Sequence, residues 1–201
     1  GSNVTYSCTP SSVATVDETT GEVTIHGAGT ATITATATET ADYKSAVATY
    51  ELHVSRKSVD IPAADPTEFV YNGKEQTYTI AEDSLYRVSD NVRKNAGTQN
   101  VVVTLTDSAN YVWSNGTDTA QTYEFTIAKA EVIVTALDKN AFVGDTAPDL
   151  SAPKLGDDYT VEGLIGEDTL GGTIALSYLE TPDMTKAGTF QIDASGALKD
   201  A

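Results

Sequence analysis

Few residues in this chain have the types and spacing that reactive chemistry needs. The histidines are His26 and His53, and the one cysteine is Cys8. A zinc site takes about four His, Cys or carboxylate ligands. These three lack metal-ligand spacing, so both histidines read as half-exposed strand residues and Cys8 as a small strand side chain. No Ser-His-Asp set or G-x-S-x-G elbow can be placed, so an enzyme is not expected. Seven acids, Asp145, Asp149, Asp157, Asp158, Glu162, Glu167 and Asp168, lie close together in sequence. Calcium needs six to eight oxygens, and loop acids could provide them. With no D-x-D-x-D loop, a solvated acidic face is the expectation, and no cofactor or metal is assigned.

Trp113, Tyr111, Tyr86 and Tyr71 could form a platform for sugar rings, whose C–H faces pack on aromatic faces. The alternative is core packing beside the last strand of the middle segment. Lys74 and Lys94 could form intramolecular isopeptide links, but no sequence feature picks out a partner. Asn3-Val4-Thr5 and Asn115-Gly116-Thr117 match the N-glycosylation pattern by chance. Ligand-binding residues therefore stay unassigned.

The elements that would carry these residues come from repetition. Ala-Gly-Thr occurs at 28–30, 96–98 and 187–189, each time read as opening an alternating strand. Thirteen residues after the first two copies come Ala41-Asp42-Tyr43 and Ala109-Asn110-Tyr111. Thr49-Tyr50-Glu51 and Thr122-Tyr123-Glu124 then begin matched closing strands. A period of roughly 70 residues indicates tandem β-modules rather than one enzyme core. We divide the chain at 1–55, 56–128 and 129–201, with junctions at Ser55–Ser58 and Ala128–Ala130. Such short joints predict an elongated, semi-rigid arrangement.

Composition agrees with β-structure. The chain holds 31 threonines with many Val, Ile and Tyr, residues that suit a pleated half-buried surface. In Thr30–Thr38, Thr stands at every even number with Ala or Ile between, so one face is hydroxyl and the other apolar. Strands are also expected near 4–9, 12–16, 22–26 and 46–54. In the middle segment they are expected near 69–71, 76–80, 86–89, 101–106 and 122–127. In the last they are expected near 132–136, 159–162, 174–178 and 189–193. Thr19-Thr20-Gly21 and Asn72-Gly73 predict hairpins, and Asn115-Gly116 a further turn. Gly29, Gly97 and Gly188 each read as a position where a Cβ would clash or φ is positive. No segment has a helical period.

The net charge of −17 makes nucleic acid and anionic lipid poor partners. A single cysteine rules out an internal disulfide, and no apolar run approaches the roughly 20 residues of a membrane-crossing helix. Both ends read as cut from a longer array.

Residues 10–17, Gly21-Glu22-Val23-Thr24-Ile25 and 27–35 together resemble bacterial immunoglobulin-like domains of group 2. Residues 71–78, with Asn95-Ala96-Gly97-Thr98 and Asn110-Tyr111-Val112-Trp113, resemble a repeat of Firmicutes surface proteins. Phe142-Val143-Gly144-Asp145, Tyr159–Leu164 and Gly166–Leu170 resemble MBG modules, with Phe142 where the pattern usually has Tyr. These resemblances imply an all-β chain of small Ig-like sandwich modules, with a β-grasp-like topology the alternative for the last two. They imply cell-surface or secreted, non-catalytic structural and adhesion modules. Host glycans, matrix proteins or neighbouring modules would be the partners. The alternative function is a carbohydrate-binding or spacer segment of a secreted glycan-degrading enzyme.

Overall fold

The alternation at Thr30–Thr38 forms the strand it predicts. In the computed structural model, which describes residues 3–196, strand β4 covers Gly29–Ala37. Ala31 and Ile33 are buried, and Thr32 between them is only half-buried. β4 is the middle of a three-stranded antiparallel sheet, between β1 (Val4–Thr9) and β5 (Ala46–Val54). The registers are Cys8↔Ile33 on one side and Ala31↔Leu52 on the other. A hairpin of β2 (Ala14–Val16) and β3 (Val23–Ile25) completes this segment. Its core is Val13, Ala14 and Ala31, with Cys8, Val23, Leu52 and Val54 packed against it. The hairpin turns where Thr19-Thr20-Gly21 predicts. Asp17 accepts from the Thr19 and Thr20 amides at 2.9 and 2.7 Å, and Gly21 has φ 75°.

The chain forms two compact units. The first is Gly1–Thr67 with Thr77–Val92 and Thr98–Phe125. The second is Glu68–Gln76 with Arg93–Gly97 and Thr126–Ala201. In the first unit, β6 (Lys57–Val59) pairs in parallel with β12 (Tyr111–Trp113). The predicted junction is therefore partly strand. Beside it, Arg56 donates to Asp118 at 2.7 Å and to the Ser108 carbonyl at 3.2 Å. β9 (Tyr86–Ser89) and β11 (Gly97–Leu105) form an antiparallel pair, and β13 (Gln121–Ala128) lies on the other side of β11. Val101, Val103 and Leu105 alternate inward on β11, and Phe125 is buried on β13. That is the period of two expected when one face meets a core.

Two two-residue strands, β8 (Gln76–Thr77) and β10 (Val92–Arg93), pair with each other. In the second unit, β7 (Phe69–Val70) pairs in parallel with Ile127 and Ala128. β14 (Ile133–Ala136) pairs with β15 (Tyr159–Glu162), and β16 (Ile174–Tyr178) with β17 (Ile192–Gly196), both antiparallel. The described residues contain no helix, and the protein is all-β, with several small sheets that agree with Ig-like β-sandwich modules.

Three expectations need correction. Asn72-Gly73 does form a turn, with Gly73 at φ 74° and the Lys74 amide donating to Asn72 at 3.0 Å. It is not a hairpin, because β7 and β8 lie in different sheets. The end of β13 takes β7 as its partner instead, extended by the Tyr71 amide donating to the Ala128 carbonyl at 2.9 Å. Ala187-Gly188-Thr189 does not open a strand, since β17 starts at Ile192. Nor is Gly188 a backbone requirement. It lacks a positive φ, and an added Cβ would meet only Phe190, at 3.9 Å. Gly29 and Gly97 match the prediction, at φ 143° and 122°. At Gly29 a Cβ would sit 2.8 Å from a Val13 methyl.

Candidate functional site

The aromatic residues separate into core and groove. Trp113 is fully buried, its Nε1 donates to the Thr119 carbonyl at 2.9 Å, and its ring lies 5.8 Å from that of Tyr86. Tyr86 is buried too and donates to the Ala81 carbonyl at 2.6 Å. Indole and phenol are tolerable in a core when their polar tips find acceptors, and both do. Tyr111 is half-buried in β12. The four residues therefore do not form an exposed platform. Tyr71 belongs to the second unit, and its surroundings differ.

The Tyr71 hydroxyl donates to Asp168 Oδ2 at 3.0 Å. Two residues singled out for different chemistry, one aromatic and one acidic, are thus brought together across 97 positions. They line a groove with Lys129, Leu164, Ile165 and Leu170. Three local features build it. Tyr71 is positioned by its amide bond to Ala128, just after β7. Gly163, φ 90°, brings the loop after β15 so close to the Glu131 carbonyl that a side chain there has no room. The Asp168 amide donates to the Ile165 carbonyl at 3.1 Å, which closes a turn that aims the carboxylate at Tyr71. The bond to Asp168 raises the Tyr71 pKa above the ordinary phenol value, since losing the proton would set two negative charges together. One Asp168 oxygen is held by the phenol, so the other can accept from a ligand hydroxyl. Leu164 and Leu170 offer apolar surface, and Lys129 a cation.

The remaining acids serve their own loops. Asp145 accepts from the Phe142 amide at 3.0 Å, and Asp149 from the Ser151 amide at 2.9 Å. Asp158 pairs with Lys139 at 2.5 Å and accepts from the Lys154 amide at 2.7 Å. The Lys139 bond, then the Lys154 amide, hold the Asp158 carboxyl below its ordinary range. Asp157 contributes its carbonyl to Lys139 at 2.7 Å. Glu162 and Glu167 are exposed. Among the described residues, no three His, Cys, Asp or Glu side chains converge as metal ligands would.

His26 lies just past β3 and bonds Thr15 through Nε2 at 2.7 Å, and His53 on β5 bonds Thr30 through Nδ1 at 3.0 Å. Cys8 is a half-buried strand thiol. Lys74 and Lys94 are exposed. Asn3 and Asn115 are exposed, and Asn115 accepts from the Thr117 amide and hydroxyl at 3.0 and 2.8 Å.

Sequence reasoning missed Asn110. Its Oδ1 accepts from the Ala28 amide at 2.7 Å, across 82 positions, and its Nδ2 donates to Asp107 at 2.7 Å. Its carbonyl accepts from the Lys57 amide at 2.8 Å. The signal was present in the Ala109-Asn110-Tyr111 marker, which pairs one repeat with the Ala-Gly-Thr loop of the other.

Residues 1–39 match the family described as "Intimin, immunoglobulin-like domain". The match covers β1 to β4 and supports, coarsely, a bacterial Ig-like module of the kind found in bacterial surface proteins. No curated protein matches the chain.

Proposed function

We propose that the chain is a non-catalytic segment of a bacterial extracellular protein, acting as a stalk or binding region in adhesion. The observation that carries this is the Ig-like match over residues 1–39, on strands that form the expected alternating sheet. The finer reading is three modules, 1–55, 56–128 and 129–201. The first would be of the group 2 Ig-like kind and the last of the MBG kind, from a Gram-positive cell surface. Host glycans or matrix proteins would be the partners, with nucleic acid and membrane insertion set aside on charge and hydropathy.

A second reading, a carbohydrate-binding segment of a secreted enzyme, is favoured by the groove at Tyr71 and Asp168. Its carboxylate and phenol beside leucine surface suit a sugar, which has hydroxyls at its edge and C–H groups on its face. An array of host glycans and matrix proteins, probed with the wild-type chain and Asp168→Asn, tests both. Matrix binding that survives the change supports the adhesion reading. Glycan binding lost with it supports the second. No binding to either class would overturn both binding roles and leave the stalk or spacer role.

A further inference from the structure

β5 is a long edge strand with little of the protection such edges normally carry, Glu51 being its one acid. It closes the β1-β4-β5 sheet on one side, and all nine of its residues are in continuous register with β4, from Gly29↔Val54 to Ala37↔Ala46. The register has no bulge, and the strand contains no proline and no lysine. Those are the devices that usually stop an edge from pairing with another chain. Residues 46–51 are exposed throughout, so neither face of this half is covered. At about 3.4 Å per residue the strand offers an edge roughly 30 Å long, with every second residue turning its N–H and C=O outward.

The two faces of the strand differ. Val47, Thr49, Glu51 and His53 share the face of the β4 threonines, through the pairs Thr36↔Val47 and Thr30↔His53. Ala48, Tyr50, Leu52 and Val54 share the apolar face of Ile33 and Ala31, through Ile33↔Tyr50 and Ala31↔Leu52. An added strand would therefore continue both faces if it alternated polar and apolar residues. Charge selects its sign. Residues 1–55 hold six acids against one lysine, in a chain of net charge −17. A second copy would be repelled, and a cationic segment attracted.

We propose that the free edge of β5 is a strand-addition site for an extended, basic, alternating polypeptide. Main-chain hydrogen bonds supply the affinity, and the acids of this segment select cationic partners. The proposal stands apart from the groove at Tyr71.

The test uses the whole chain and a nine-residue peptide alternating lysine and valine. Two control peptides replace every lysine with glutamate, or methylate alternate backbone nitrogens of the lysine peptide. Amide NMR should show shifts confined to residues 46–54 and slowed exchange there with the lysine peptide. The glutamate peptide should bind far more weakly, and the methylated one should lose the slowed exchange. A Val47→Lys, Thr49→Lys double variant, changed only at exposed positions, should lose the response while Trp113 fluorescence stays native. Equal binding of the methylated peptide would show that charge alone acts and would overturn the proposal. So would shifts that map elsewhere, or no binding. A concentration-dependent dimer that protects the same amides without peptide would overturn it in favour of a second copy.

Discussion

The two units reach order by different routes. The first buries large side chains outright: Trp113, Phe125, Val101 and Val103 are fully enclosed, with Tyr78 at 5.6 Å from Phe125 ring to ring. The second buries only Ile127, Leu150 and Leu176 among its described residues, and leaves Phe142, Leu155 and Leu179 exposed. What organises it instead is polar and local. Asp145, Asp149 and Asp158 tie loop amides, and Lys139 holds both Asp158 and the Asp157 carbonyl. Burying an aromatic side chain contributes about 1.5–3 kcal/mol, whereas a hydrogen bond in contact with water adds far less. Stability should therefore concentrate in the first unit, and local opening in the second.

The strongest way to break this contrast is in the first core. Trp113→Ala removes a fully buried indole and its bond to Thr119, and should cost about 3–5 kcal/mol. Leu176→Ala, in the thinner core, should cost about 2 kcal/mol, at the low end for such changes. Urea unfolding followed by far-ultraviolet circular dichroism measures both. Equal costs would mean that the second core is as well packed as the first.

Glycines sharpen the contrast further. Gly29→Ala should cost roughly 1–3 kcal/mol, because φ is 143° and the new Cβ presses on buried Val13. Gly188→Ala should be neutral or stabilising by up to about 1 kcal/mol, since only unfolded-state freedom is reduced. The same denaturation assay decides, and an equal cost at both would restore one role for the repeated tripeptide.

Asn110→Ala should cost about 1–2 kcal/mol, because the Ala28 amide loses its acceptor. Amide exchange at Ala28 should accelerate. Unchanged exchange there would remove Asn110 from the account of how the first unit holds together. Tyr71→Phe, which removes one exposed bond in the second unit, should have the smallest effect, a barely lowered urea midpoint.

Acid should affect both units alike. Asn110 holds Asp107, and Arg56 holds Asp118, below the ordinary carboxyl range in the first unit, as Lys139 holds Asp158 and the Ser151 amide Asp149 in the second. A depressed native pKa means that the unfolded chain binds the proton first. Each contribution is complete above the unfolded value, about 3.9, and is lost as pH falls through the native one. Melting temperatures should stay level down to about pH 5 and fall below about pH 4. A fall beginning near neutrality would point to a different group.

The sequence alone determined the all-β class, because threonine and β-branched residues at a period of two leave no helical stripe. It also located β1, β5, β9 and β15 to the residue, and placed the turns at Gly21 and Gly116, where local chemistry decides the backbone. What it could not decide was pairing. Asn72-Gly73 looks like a hairpin in isolation, yet β7 finds its ladder on β13, more than 50 positions away. Ala-Gly-Thr reads alike three times, but only the packing of Val13 and the backbone angles at Gly29 and Gly97 make two of those glycines necessary. Tyr71 and Asp168, like Asn110 and Ala28, meet only because loops fold back over long separations. Period and turn chemistry are local and can be read along the chain. Which edge meets which, and which polar group satisfies which, depends on contacts the chain makes only once it has folded.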